Sequence, residues 1–159
     1  MSKVPKNPKN QIMKCKYIIF DLFGTITSKR YIPALFGWYL GGKRPDTKMI
    51  DGDFEAQIKR LSKSYRLYIL SNSNYSFVIN SLEKQGLLGY FKVVLVSSEI
   101  GARKPSVDAY NKLIDAGADP AKSIFIDDRK SNRVQAKVMG YSIVEFSSKH
   151  DLLSKLSEL

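Results

Sequence analysis

The chain has 159 residues, 43% of them hydrophobic and 26% charged, with a formal net charge of +11. That size and balance fit one soluble domain able to bury most of its apolar surface. A single cysteine, Cys15, excludes an internal disulfide framework and fits a reducing, cytoplasmic setting.

The charge is placed unevenly. Residues 1–20 carry five lysines and no acid, and residues 26–66 carry nine basic side chains against four acidic ones. Such an excess attracts anionic partners or keeps a tail in solution. No nucleic-acid motif accompanies it, so nucleic acid enters only through this charge. Residues 1–14 include two prolines and little apolar content, which predicts a flexible basic arm ahead of a single domain over 15–159. The lysines there precede no apolar core with a small-residue cleavage site, so no secretory leader is expected.

From Tyr17 onward, short apolar runs alternate with helical patterns. The runs are "YIIFD" at 17–21, "LYILS" at 67–71, "VVLVS" at 93–97, "SIFID" at 123–127 and "SIVEF" at 142–146. Between them lie "YSFVINSLEKQG", "PSVDAYNKLIDAG" and "SNRVQAKVMG", with apolar residues three and four apart, each closing on a glycine: Gly86, Gly117 and Gly140. These glycines suit helix C-termini, and Pro105 suits the first turn of its helix. Further helices are expected from Asp53 to Ser64 and over the C-terminal "DLLSKLSEL". Continuous apolar strands alternating with helices predict a doubly wound, Rossmann-like α/β fold: a five-stranded parallel sheet with helices on both faces.

Residues 26–52 break the rhythm. Seven large apolar side chains from Tyr31 to Leu40, Trp38 among them, precede a Gly-Gly turn. This predicts a small helical insert after the first strand, packed on the sheet, closing over a site as a lid, or forming a homodimer contact. Its longest apolar stretch, "YIPALFGWYLGG", is too short to span a bilayer and contains a proline, so no membrane association is expected.

In open parallel sheets, ligands bind beyond the carboxyl ends of the strands. There the sequence places Asp21, then Ser71 and Asn72, then Lys104 after the third strand, then Asp127 and Asp128. Clustered carboxylates repel one another, and a hard divalent cation relieves them. A lysine and a serine beside that cation suit phosphate oxygens.

Four motifs together resemble the haloacid dehalogenase (HAD) superfamily: "FDLFGT", "LYILSNS", "GARKP", and "IFIDDRKSN" followed by "QAKVMGY". The resemblance, with its phosphatase-like branch, implies Asp21 as the nucleophile, forming an aspartyl-phosphate that water hydrolyses. It implies Gly24, Thr25, Ser71, Asn72 and Lys104 around the phosphoryl group. A magnesium ion is implied on Asp21, the backbone carbonyl of Phe23 and Asp128, with Asp127 supporting. The substrate expected is a phosphate monoester, small or macromolecular. Two departures stand out. Phe23 occupies the place where phosphatases of this family carry an aspartate general acid, which implies weak activity. The insert is shorter than the caps common in members acting on small metabolites. Two alternatives follow: a catalytically impaired binding module, and a haloacid dehalogenase, a class whose fourth motif departs from the paired acids kept here.

Overall fold

A computed structural model describes residues 15–28, 31, 37, 40–43 and 48–159. The expected arm over 1–14 and much of the insert, Trp38 included, lie outside the described residues. Five strands form one all-parallel sheet: β1 (Tyr17–Phe20), β2 (Arg66–Ser71), β3 (Phe91–Val96), β4 (Ser123–Ile126) and β5 (Ser142–Ile143). Their spatial order is β3-β2-β1-β4-β5, so β1 is central. The expected doubly wound α/β architecture is present.

Helices cover both faces: α1 (Gly52–Leu61), α2 (Tyr75–Lys84), the short α3 (Ser97–Ile100), α4 (Val107–Asp115), α5 (Lys130–Val138) and α6 (Lys149–Ser157). Because strand side chains alternate, Ile18 and Phe20 join one buried cluster with residues of α1, α2 and α6, while Tyr17 and Ile19 join another with α4 and α5. Burial on both sides is the reason the strands read as continuous apolar runs. Among the described residues, no helix is long and apolar enough to cross a membrane.

The three helix-closing glycines behave as expected. Gly86, Gly117 and Gly140 all have positive φ. In each case the glycine N–H and the following N–H donate back into the last turn, as in Gly86 to Glu83 and Leu87 to Leu82. The residue after the glycine (Leu87, Ala118 or Tyr141) is buried against its cluster, completing the apolar contact of this motif.

Several boundaries differ from expectation. Pro105 is not in the first turn of α4. Ser106 is the N-cap, and Pro105 lies ahead of it after a cis peptide bond to Lys104. The cause is non-local: Asn72 grips the main chain of Lys104 from both sides, donating to its carbonyl at 2.9 Å and accepting its N–H at 2.9 Å. The last strand covers Ser142–Ile143 only, although Val144 still donates to Phe125. At this sheet edge the chain turns away to begin α6, capped by Ser148. Ser97 opens α3 instead of ending β3, and α1 stops at Leu61.

The two ends of the insert are pinned together. Thr27 and Ile50 form an antiparallel bridge, and Ser28 donates to Met49 at 2.7 Å. The Gln85 side chain then acts as a further strand, accepting from the Ile50 N–H at 2.9 Å and donating to its carbonyl at 3.0 Å.

Candidate active site

Parallel strands aim their carboxyl ends at one edge, and β1, β2 and β4 each deliver a polar residue there. β1 runs straight into Asp21, whose N–H is still held by the Ile126 carbonyl of β4 at 2.9 Å. β2 ends on Ser71, and β4 is followed by Asp127 and Asp128. Lys104 arrives from the loop before α4, held in place by Asn72. The structure thus brings Asp21, Ser71, Asn72, Lys104, Asp127 and Asp128 around one cleft of about 90 Å³, with Phe23, Arg103, Arg129 and Asn132 completing its described lining.

Lys104 is the centre of charge. Its Nζ donates to Asp21 Oδ1 and to Asp127 Oδ2, both at 2.6 Å, from a side chain that is 1% exposed. It also sits 5.8 Å from the centre of the Phe125 ring. Burial pushes the Asp21 carboxyl up to about 6; the Lys104 ammonium pulls against this, and the Asp127 charge adds to it.

Thr25 and Gly24 tie the loop after β1 to the loop after β4. The buried Thr25 hydroxyl donates to Asp21 Oδ2 at 2.9 Å and accepts the Asp128 N–H at 3.1 Å. Gly24 has φ +88°, and a Cβ built there would run into the Asp128 carboxylate. Neither residue is among those lining the cleft: Thr25 is buried behind Asp21 and Asp128, and the Gly24 N–H donates to the Thr27 hydroxyl, so both support the loop and show no place around a bound group.

The two adjacent acids have different surroundings. Asp127 is fully buried and saturated: it accepts from Lys104, from the Arg129 N–H at 2.9 Å, and twice from Asn132 at 2.9 and 3.0 Å. Asp128 turns its carboxylate to the cleft, where it receives no hydrogen bond from a described residue. Partial burial, then the charge of Asp127, raises its pKa, while Arg129 draws it down. Arg133 braces both residues from behind, donating to the Asp127 and Asp128 carbonyls at 2.9 and 2.7 Å.

Two further features frame the cleft. Ser71 Oγ is buried and has no hydrogen-bond partner among the described residues. A buried hydroxyl normally has one; Tyr141 Oη is unpartnered as well, but only Ser71 lines the cleft, where its hydroxyl is available to a ligand oxygen. Phe23 stacks on Phe77 of α2 (centroids 6.2 Å apart, planes at 24°), and Phe77 in turn packs against Tyr31 at 5.9 Å. The ring after the central strand therefore belongs to an aromatic row and offers the cleft no proton.

Arg103, Arg129 and Arg133 were not among the residues singled out from the sequence. The signal was position: Arg103 precedes Lys104, and Arg129 follows Asp128, each beside a residue aimed into the cleft.

The donor set suits a hard cation. Asp21, Asp127 and Asp128 each offer a carboxylate oxygen, all within 4.8 Å of one another. Oxygen-only ligands favour magnesium or calcium over softer metals.

Solved structures of similar fold include a HAD phosphatase from Thermococcus onnurineus (20% identity, 83% of this chain and 86% of that one, TM-score 0.66). A HAD-hydrolase from Bacillus subtilis described as bound to magnesium matches at 13% identity over 91% of this chain and 97% of that one, TM-score 0.69. The L-2-haloacid dehalogenase of Xanthobacter autotrophicus matches at 20% identity over 91% and 83%, TM-score 0.64. At such identities the likeness carries the fold alone. No curated protein matches the chain. The family model for haloacid dehalogenase-like hydrolases matches residues 42–145, which include Ser71, Lys104, Asp127 and Asp128. With the strand-end Asp21 completing the cluster these residues form, the chain belongs to the haloacid dehalogenase-like hydrolase family.

Proposed function

We propose that this chain is a magnesium-dependent phosphohydrolase that cleaves a phosphate monoester through an aspartyl-phosphate on Asp21. The observation that carries the reading is the uncommitted Asp128 carboxylate beside Asp21, with the unpartnered Ser71 hydroxyl in the same cleft. A haloacid dehalogenase needs no metal ligand there, so the free Asp128 carboxylate is what separates the two readings. The fold is shared by a phosphatase and by a magnesium-bound hydrolase, and equally by a haloacid dehalogenase, so the choice between them rests on the residues of this cleft.

In this reading Asp21 attacks phosphorus, the bond from phosphorus to the leaving oxygen breaks, and that oxygen takes its proton from water because Phe23 has none to give. Water then attacks phosphorus, releasing phosphate and restoring the Asp21 carboxylate. Lys104 and the Ser71 hydroxyl hold the phosphoryl oxygens, and Lys104 keeps Asp21 ionised by pairing with it. Asp127 and Asn72 position Lys104, one through its ammonium and the other through its main chain. The residues that would hold magnesium are Asp21, Asp128 and the backbone carbonyl of Phe23, and the ion supplies charge stabilisation for the phosphoryl oxygens.

The aromatic row favours one second reading. A ring packed on Phe77 in place of a proton donor suits a binding module that retains phosphate affinity without turnover. A panel of aryl and alkyl phosphate monoesters, run with magnesium and with EDTA beside a haloacid control, separates the readings. Magnesium-dependent phosphate release that Asp21→Asn abolishes supports the hydrolase. Halide release unaffected by EDTA overturns it in favour of a dehalogenase, and phosphate binding without turnover favours the module.

A further inference from the structure

Two arginine side chains at the cleft are held by no hydrogen bond or ion pair from a described residue, although the Arg129 charge is felt by its neighbour Asp128. Arg103 and Arg129 line it beside Lys104 and Asp128, both are exposed, and neither guanidinium has a hydrogen-bond or ion-pair partner among the described residues. Arg133, a few residues on, is spent on two main-chain carbonyls. The groups that would meet the phosphoryl group, Lys104 Nζ and Ser71 Oγ, are buried on the floor. The arginines stand outside them, at the mouth.

Size decides what reaches them. The cleft of about 90 Å³ lies well below the roughly 300–1,000 Å³ of pockets that enclose a whole small molecule. It holds a phosphoryl group, and the rest of the ester projects past the mouth. A guanidinium there presents a planar fork of donors that matches a carboxylate or phosphate. Resting on the phosphohydrolase reading above, we infer that Arg103 and Arg129 select substrates whose leaving group carries a second oxyanion, a carboxylate or a phosphate.

The competing role is plain charge balance for the transferring phosphoryl group, and paired substrates distinguish the two. With the magnesium-loaded full chain, kcat/KM is measured for 4-carboxyphenyl phosphate against the near-isosteric, neutral 4-carbamoylphenyl phosphate. A second pair, 1,4-phenylene bisphosphate against phenyl phosphate, reads a phosphate tail, so the two pairs tell which oxyanion is preferred. The wild type should favour the anionic member of at least one pair. Arg103→Met and Arg129→Met should each lower that preference by on the order of tenfold, the scale of one charge-assisted contact at a solvent-facing site. Arg129→Lys should restore part of it, and raising the salt should erode it in the wild type. If both members of each pair fall equally in the variants, the arginines serve the phosphoryl group and the inference fails while the hydrolase reading stands. If the wild type turns over no member of either pair with magnesium present, the hydrolase reading fails and takes this inference with it.

Discussion

Removing Lys104 tests the charge arrangement most directly. Each of its two contacts, at 2.6 Å, corresponds to a gross attraction of roughly 6 kcal/mol at an effective dielectric of about 20. Desolvation of three buried ions cancels much of that, so the gross figure is not the cost of removal. What Lys104→Met leaves is the pair Asp21 and Asp127, both buried, facing each other with no cation between them. Breaking a buried pair in this way typically costs about 3–5 kcal/mol. For a chain of this size each kcal/mol moves the melting temperature by roughly 2–4 °C. A loss on the order of 10 °C in EDTA at pH 7.5 is therefore expected, along with loss of turnover.

The pH dependence has a definite sign. Asp21 already sits near 6 with Lys104 pulling it down, so the variant moves it higher still. In the unfolded chain an aspartate titrates near about 3.9. A carboxyl raised in the folded state binds its proton more readily there, so acidification stabilises the fold between the two values. Above the folded value the penalty is present in full. Wild type gains as the pH falls through about 6, and the variant, with the higher value, gains more. Urea titrations of both proteins from pH 8 to pH 5 should show the gap narrowing as the pH falls. A gap below about 1 kcal/mol at pH 7.5, or one that stays flat or widens on acidification, would refute the assignment of Lys104 as the cation holding these carboxylates apart.

The remaining perturbations separate neighbouring roles. Asp127→Ala should cost about 3 kcal/mol or more by urea denaturation, because it strips partners from Lys104 and Asn132, whereas Asp128→Ala should leave stability near wild type and raise the magnesium needed for turnover. Equal behaviour of the two would remove the distinction between ligand and brace. Gly24→Ala, at φ +88° and against the Asp128 carboxylate, should lose about 1–3 kcal/mol and weaken magnesium dependence, read by melting with and without the ion. Phe23→Asp should raise turnover of alkyl phosphates relative to aryl phosphates, since a general acid helps poor leaving groups most, at a cost of roughly 0.5–1.5 kcal/mol for the lost stacking; an unchanged alkyl-to-aryl ratio counts against the missing acid.

Much of this was legible in the chain because local chemistry and tertiary demand agree. β1 is apolar at every position and β4 at every position after Ser123, and only a strand covered on both faces requires that. The glycines after α2, α4 and α5 mark their ends because a left-handed residue there costs any other side chain energy. Asp21 and the Asp127–Asp128 pair were visible because strand ends in such a sheet converge. The misses have a common cause in contacts distant along the chain. Pro105 carries the local signature of a first helical turn, but Asn72, 32 residues before Lys104, clamps the segment and delays the helix to Val107. The length of β5 depends on how the chain leaves a sheet edge, and nothing in "SIVEF" records that. Arg103 and Arg129 look like ordinary surface arginines until the fold turns their loops toward one cleft.

Phe23 joins the local and the distant readings. As a sequence position it reads as the loss of a general acid. In the structure its ring is the first of a row that continues through Phe77 to Tyr31, whose hydroxyl meets Ser81 at 3.0 Å on the same helix. The row ties the loop after β1 to α2 and to the first turn of the insert, and Gln85 at the end of α2 clasps the insert's return strand at Ile50. An aspartate at position 23 would break that row at its catalytic end and place a fourth carboxylate beside Asp21, Asp127 and Asp128. The aromatic ring avoids that repulsion and fixes the base of the insert to the wall of the cleft. In the proposed phosphohydrolase, leaving-group protonation would fall to water, which suffices for esters whose leaving oxygen is already a stable anion. If the proposed phosphohydrolase reading holds, the geometry that removes the acid would narrow the substrate toward acidic leaving groups, and the inferred role of Arg103 and Arg129 would add a second anion at the mouth.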